Sequence, residues 1–126
     1  MAARQLPGDG GVTEFEVLGP PVSKQRPRKG PNGWYTPRKT KDFEELVGWS
    51  AKAAGLSLEP KKPYGVEIEF YLSTHRRDLD NLAKTVLDGL NGIGGWDDCQ
   101  VVNLHVKSVD VTDGSEEKTV VRVRER

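Results

Sequence analysis

The chain has 126 residues, 35% of them hydrophobic and 30% charged, which suffices for one domain with a real core and excludes two. No apolar run approaches the roughly 18 residues of a membrane-spanning helix, and Met1 to Gly11 lacks the apolar segment of an export signal, so a cytoplasmic protein with no membrane partner is expected. A single cysteine, Cys99, excludes an internal disulfide and a cysteine-built zinc site, and nineteen basic against nineteen acidic residues leave a formal net charge of zero.

Residues 1–12 read as a flexible N-terminal tail with too little to bury, and residues 13–126 as one compact domain. Thr13 to Leu18 alternates Glu14 and Glu16 with Phe15 and Val17, the period of a half-buried strand, and Gly19-Pro20-Pro21 ends it. Val22 to Pro37 reads as a long basic loop with a short strand at Trp34-Tyr35-Thr36. From Lys24 to Lys41 the chain carries Lys24, Arg26, Arg28, Lys29, Arg38, Lys39 and Lys41 without one Asp or Glu. Such a segment presents a positive surface despite the neutral total, and a loop of this length, here with two aromatics, is expected to be functional or disordered.

A helix is expected to open at Thr36-Pro37 or Thr40, with Asp42, Glu44 and Glu45 suiting the positive end of its dipole. Phe43, Leu46, Val47, Ala51 and Ala54 form one apolar stripe and Gly55 is the stop; Trp49 lies off the stripe, either a partly exposed aromatic or a subunit contact. Gly65 to Ser73 alternates Val66, Ile68, Phe70 and Leu72 against Glu67, Glu69 and Tyr71, the clearest strand of the chain. A second helix runs from about Asp80 to Asn91 on Leu79, Leu82, Ala83, Val86, Leu87 and Leu90, with Gly89 and Gly92 loosening its end. In the C-terminal third two strands follow, Val102/Leu104/Val106 and Thr119/Val121/Val123 each on one face, joined by a turn at Asp113-Gly114. The order predicts an α+β domain with two main helices on a mixed or largely antiparallel sheet.

The stretch His75-Arg76-Arg77-Asp78-Leu79-Asp80-Asn81-Leu82-Ala83-Lys84 stands out. Two carboxylates one residue apart sit between the clearest strand and the best helix, preceded by an imidazole and two guanidinium groups. Capping alone accounts for an aspartate there, and Asp80 is the natural N-cap. Against capping as the whole account, Asp80, Lys84 and Asp88 are spaced to stack on the helix face opposite the leucines, and Asp97-Asp98 supplies a second acidic pair. Hard divalent cations prefer carboxylate oxygen and can activate water at a phosphodiester; a nearby lysine stabilises the developing charge, and Arg76, Arg77 and the loop cations supply phosphate contacts.

Other patterns fit worse. A calcium-binding loop beginning at Asp78 needs glycine at its sixth position and glutamate at its twelfth, where Ala83 and Gly89 stand. A phosphoaspartate phosphatase expects Thr or Val where Leu82 stands. His75 and His105 lack a third histidine, and His105 reads as a strand side chain. Cys99 reads as a small packing residue, since neighbouring carboxylates raise a thiol pKa.

Arg76-Arg77-Asp78-Leu79-Asp80-Asn81-Leu82-x-Lys84, then Leu87-Asp88-x-Leu90-Asn91 and Asp97-Asp98-x-Gln100-Val101, resembles the RusA family of Holliday junction resolvases, and Gly19-Pro20-Pro21-Val22-Ser23-Lys24-x-Arg26-Pro27-Arg28 is similar to that family's opening. The resemblance covers roughly residues 13 to 124. It implies a bacterial or phage-encoded homodimer, dependent on Mg²⁺ with Mn²⁺ as the substitute, that nicks opposed strands of a four-way DNA junction in recombination and repair. By position it implies Asp78, Asp80 and Asp98 as metal-binding, catalytic carboxylates and Lys84 as the catalytic lysine; Lys24, Arg26, Arg28, Lys29, Arg38, Lys39, Arg76 and Arg77 are expected from their charge to face DNA. Twofold symmetry suits an isologous dimer to a junction of near-twofold symmetry. The alternatives are a non-catalytic junction- or DNA-binding module of the same fold, and a nuclease acting on other branched DNA.

Overall fold

The computed structural model describes residues 3–5, 12–24, 28–35, 37–57, 59, 61–74, 78–92 and 98–125. In chain order the elements are β1 (Ala3–Gln5), β2 (Val12–Leu18), β3 (Arg28–Gly30), β4 (Gly33–Tyr35), α1 (Arg38–Ala53), β5 (Tyr64–Leu72), α2 (Leu79–Asn91), β6 (Val101–Asp110) and β7 (Lys118–Glu125), with single 3-10 turns at Asp98–Gln100 and Gly114–Glu116. One five-stranded sheet has the order β1-β2-β7-β5-β6, and β3-β4 form a separate hairpin. Within the five-stranded sheet β5 and β6 run parallel and the other neighbours antiparallel, so the α+β expectation of a mixed sheet with two main helices holds. No helix among the described residues is long and apolar enough to cross a membrane.

Period-two alternation gives each inner strand one apolar face. Phe15 and Val17 of β2, Val66, Ile68 and Phe70 of β5, and Val121 and Val123 of β7 pack with Phe43, Val47 and Ala51 of α1 and Leu82, Val86 and Leu90 of α2 into a single core. Each such aliphatic or aromatic side chain stabilises the fold by about 1.5–3 kcal/mol on burial. Both helices therefore cover the same face of the sheet, and the opposite face carries the strands' charged residues.

Four expectations change. The C-terminal strands are not a hairpin: β6 and β7 flank β5 on opposite sides, because β5-α2-β6 is a parallel crossover that takes β6 to the sheet edge while β7 enters between β5 and β2. Ala3–Gln5, which composition assigns to a tail, pair with Val17, Glu16 and Phe15; backbone pairing of three residues leaves no periodic signature. The basic loop contains the β3-β4 hairpin, turning at Pro31-Asn32, with Gly33 at φ +105°. Gly89 does not loosen α2. It is buried, and a Cβ there would lie 2.7 Å from the Glu44 carbonyl oxygen and 2.8 Å from Val47 Cβ, so the missing side chain is what lets α1 and α2 approach.

Candidate active site

The chain leaves the C-terminal end of β5 through a tethered turn. Ser73 donates its backbone N–H and its hydroxyl to Glu117 Oε2, both at 2.8 Å, and Val111 N–H donates to the Leu72 carbonyl at 3.0 Å. Helix α2 then begins, and the N-cap position is Asp78, not Asp80. Its carbonyl accepts from Leu82 N–H at 2.9 Å, while its side chain makes no capping bond. The carboxylate is instead held outward, accepting from Asn81 Nδ2 at 2.7 Å. That hydrogen bond, followed by contact with the Asp80 carboxyl, keeps Asp78 below the ordinary carboxylate range. Asp78 is thus an anion at neutral pH, exposed, with a second carboxyl group touching it.

The two aspartates open onto different hollows. Asp78 lines a cavity of ≈ 550 Å³ together with Ser23, Thr74 and Glu117. Asp80 and Lys84 line a groove of ≈ 370 Å³ between α2 and the sheet edge, floored by Leu79, Ala83, Leu87, Leu104 and Val106. Lys84 is exposed and makes no salt bridge among the described residues. Asp88 does not share this face. Four-residue steps drift by about 40° per step on a helix of 3.6 residues per turn, and that drift turns Asp88 toward α1.

There Asp88 meets Lys24. The Lys24 ammonium lies 2.7 Å from Glu44 and 3.0 Å from Asp88, and its backbone N–H donates to the Asn81 carbonyl at 3.0 Å. Burial pulls its pKa down, but the hydrogen bonds to Glu44 and Asp88 outweigh burial and leave it raised. Lys24, expected among the DNA-facing cations, is a charged rivet between loop, α1 and α2. Lys29 and Lys39 are exposed, and Arg38 is held loosely, 3.8 Å from Asp42 with both side chains largely in water.

Asp98 lies elsewhere in the chain. It opens the 3-10 turn Asp98–Gln100, and buried Gln100 donates its side-chain amide to the carbonyls of Glu59 at 2.7 Å and Lys62 at 2.9 Å. The next residue, Val101, is the register partner of Tyr64. The turn is therefore fixed at the N-terminal end of β5, whereas Asp78 follows its C-terminal end. The 13-residue helix α2 spans about 20 Å between those ends. A single chain does not bring Asp98 to Asp78 and Asp80, and among the described residues no three metal-ligating side chains gather. His75, Arg26, Arg76, Arg77 and Asp97 lie outside the described residues, and Arg28 and Asp98 are described in their backbone alone. Cys99 is exposed rather than packed. His105 is exposed on the strand β6, the strand position expected of it.

Sequence reasoning missed Glu117 and Ser23. Glu117 follows Glu116 in a polar turn and reads as a solvated charge; only the pairing of β7 with β5, which sets Lys118 opposite Tyr71, carries it to the Asp78 cavity.

Comparison with known proteins bears on this arrangement. Over 74 residues the chain is 38% identical to the crossover junction endodeoxyribonuclease RusA of Escherichia coli (strain K12) and to that of Shigella sonnei (strain Ss046), and 36% identical to that of Enterobacteria phage 82. In each case the aligned stretch is 57% of this chain and 62% of the relative, so the chain spans less than two thirds of the length of these relatives. The family model described as Endodeoxyribonuclease RusA matches residues 19–124, a span that runs from the turn after β2 almost to the end of β7 and takes in both acidic pairs. The chain belongs to the RusA family of endodeoxyribonucleases.

Proposed function

We propose that this protein is a metal-dependent, structure-selective endodeoxyribonuclease that resolves four-way DNA junctions as a homodimer. The observation that carries the reading is the placement of Asp78 and Asp80, both exposed and two residues apart at the start of α2, with Lys84 one turn further along and free of salt bridges among the described residues. Hard oxygen donors of this kind suit Mg²⁺ or Mn²⁺. Bound there, the cation would activate water and neutralise charge on the phosphate being cleaved. Lys84 stands beside Asp80 with its ammonium available to the oxygen on which charge develops. Exposed Lys29, Arg38 and Lys39 hold flanking phosphates.

The separation of Asp98 from this pair supports a site shared between protomers. Strand β6 is a ten-residue sheet edge whose Val102 and Leu104 are 55% and 44% exposed, and such an edge is a template for pairing with a second copy. Antiparallel pairing of two β6 edges runs the N-terminal end of one against the C-terminal end of the other. That arrangement carries the partner's Asp98 toward Asp78, Asp80 and Lys84, so the dimer completes two equivalent sites.

The test is cleavage of labelled four-way junction, linear duplex and single strand, with Mg²⁺ or with EDTA. Paired nicks in the junction alone, lost in EDTA, are expected; binding without cleavage favours the non-catalytic module, and cleavage of flaps or splayed duplexes favours a broader nuclease. Asp80→Asn and Asp98→Asn should each abolish cleavage and keep junction binding. Mixed after exchange of subunits, the two variants should recover single nicks, because one of the two shared sites is then intact. Persisting inactivity of the mixture, with exchange verified, overturns the shared site; cleavage by Asp80→Asn alone overturns the assignment of the carboxylates.

A further inference from the structure

The hairpin β3-β4 is attached to the body of the molecule at two feet, which meet at Ser23, a residue lining the Asp78 cavity. At the first, Ser23 lines that cavity, and Lys24 is tied by its backbone to Asn81 and by its ammonium to Glu44 and Asp88. At the second, the Thr40 hydroxyl in the first turns of α1 donates to the Ser23 carbonyl at 3.4 Å. Between these feet none of the described side chains from Lys29 to Trp34 joins the hydrophobic core. The hairpin is thus a projection with a fixed root.

Trp34 stands on it, 72% exposed, more than Leu18, Trp49, Val102 or Leu104. Its register partner across the hairpin is Lys29, also exposed. A lone exposed apolar residue needs no explanation. The surroundings supply one here: Gly19 to Lys41 holds seven cations and no carboxylate, and Lys29, Lys39 and Lys41 make no salt bridge among the described residues. Cations interleaved with an aromatic plane match a strand of nucleic acid, which alternates anionic phosphate with the π-face of a base. Intact duplex keeps its bases stacked on one another. A branch point interrupts that stack and offers a face.

Resting on the endonuclease reading above, we propose that Trp34 is a stacking platform for an unstacked nucleobase at a DNA branch point. The hairpin then discriminates branched from linear DNA while the carboxylates cleave. Its root beside Asp78 couples the two, since a base held on Trp34 fixes which phosphate reaches the cavity.

The experiment is equilibrium binding of four-way junction and linear duplex of the same base composition, without metal so that no cleavage intervenes, to the unaltered protein and to Trp34→Ala, Trp34→Phe and Trp49→Ala. Trp34→Ala is expected to lose about tenfold in junction affinity, the scale of one base–aromatic stack, and to change duplex affinity by less than about twofold. Trp34→Phe retains most of the junction affinity, and Trp49→Ala, on α1 away from the hairpin, matches the unaltered protein on both. The exposed position of Trp34 predicts an unchanged melting midpoint in its variants. An equal loss on junction and duplex, or no loss on either, overturns the platform. An unaltered protein that binds junction no better than duplex overturns the junction reading as well, whereas a protein that prefers junction and keeps the preference as Trp34→Ala overturns the platform alone.

Discussion

At Gly89 a single hydrogen stands where any other residue carries a carbon. An alanine Cβ would meet the Glu44 carbonyl oxygen at 2.7 Å and Val47 at 2.8–2.9 Å, and because one of these atoms is backbone the helices must part. Gly89→Ala gains about 1 kcal/mol in helix propensity and loses about 1–3 kcal/mol to overpacking, so a net fall in melting midpoint is expected. The strain falls on the carbonyl of Glu44, whose side chain holds Lys24, and on α2, which carries Asp80 and Lys84. A variant that melts with the unaltered protein would show that the helices have room. Sequence reading treats the same glycine as loosening the helix end, since periodicity records which face is apolar but not how closely a neighbour approaches. Lys24 illustrates a related limit. Its charge is legible and its partners, Glu44 and Asp88, are not, because they are 20 and 64 residues away in sequence.

Among the elements, the strands were the most legible and their order the least. Val66, Ile68, Phe70 and Leu72 are all buried because alternation states which side chains turn inward. It does not state which strands are neighbours, and the pairing of β7 with both β2 and β5 appears only when the parallel crossover is seen. That pairing builds a charge lattice on the sheet's outer face. Arg122 lies 3.3 Å from both Glu14 and Glu69, and Lys107 lies 3.2 Å from Glu69. Burial alone would push the Glu69 carboxyl up, but hydrogen bonds from Arg122 and Lys107 outweigh it and leave it below its ordinary value of 4.5. A depressed folded pKa contributes stability that is present above the unfolded value and lost as pH falls through the folded one. Melting midpoints should therefore hold from neutral pH to about 5 and decline below about 4.5. Glu69→Gln should be less stable at neutral pH and lose less on acidification. Parallel pH profiles for the two proteins would mean that the lattice contributes nothing.

For the molecule as a whole, a net charge of zero argues against a nucleic-acid surface only if charge is evenly spread. The outer face of the sheet neutralises itself: Glu14, Glu16, Glu67 and Glu69 are taken up by Arg122, Lys118, Arg124 and Lys107. Lys24 and Lys62 are likewise held between pairs of carboxylates. Beside these stands the acid-free run from the hairpin into the first turn of α1, where among the described residues Lys29, Lys39 and Lys41 make no salt bridge and the Arg38 side chain is 92% exposed. DNA affinity should accordingly follow this local count and not the total. Each phosphate neutralised on duplex DNA lowers log K by about 0.9 per unit of log salt concentration, so three or four contacts per protomer predict a slope of about −3 to −4. Binding titrations of linear duplex over a range of salt concentrations measure it directly. Substituting Lys29, Lys39 and Lys41 by Gln should flatten the slope by about 2 to 3 units, while Lys107→Gln and Lys118→Gln on the self-neutralised face leave it as it was. A near-zero slope in the unaltered protein, or equal flattening by both sets, would mean that net charge governs the encounter after all.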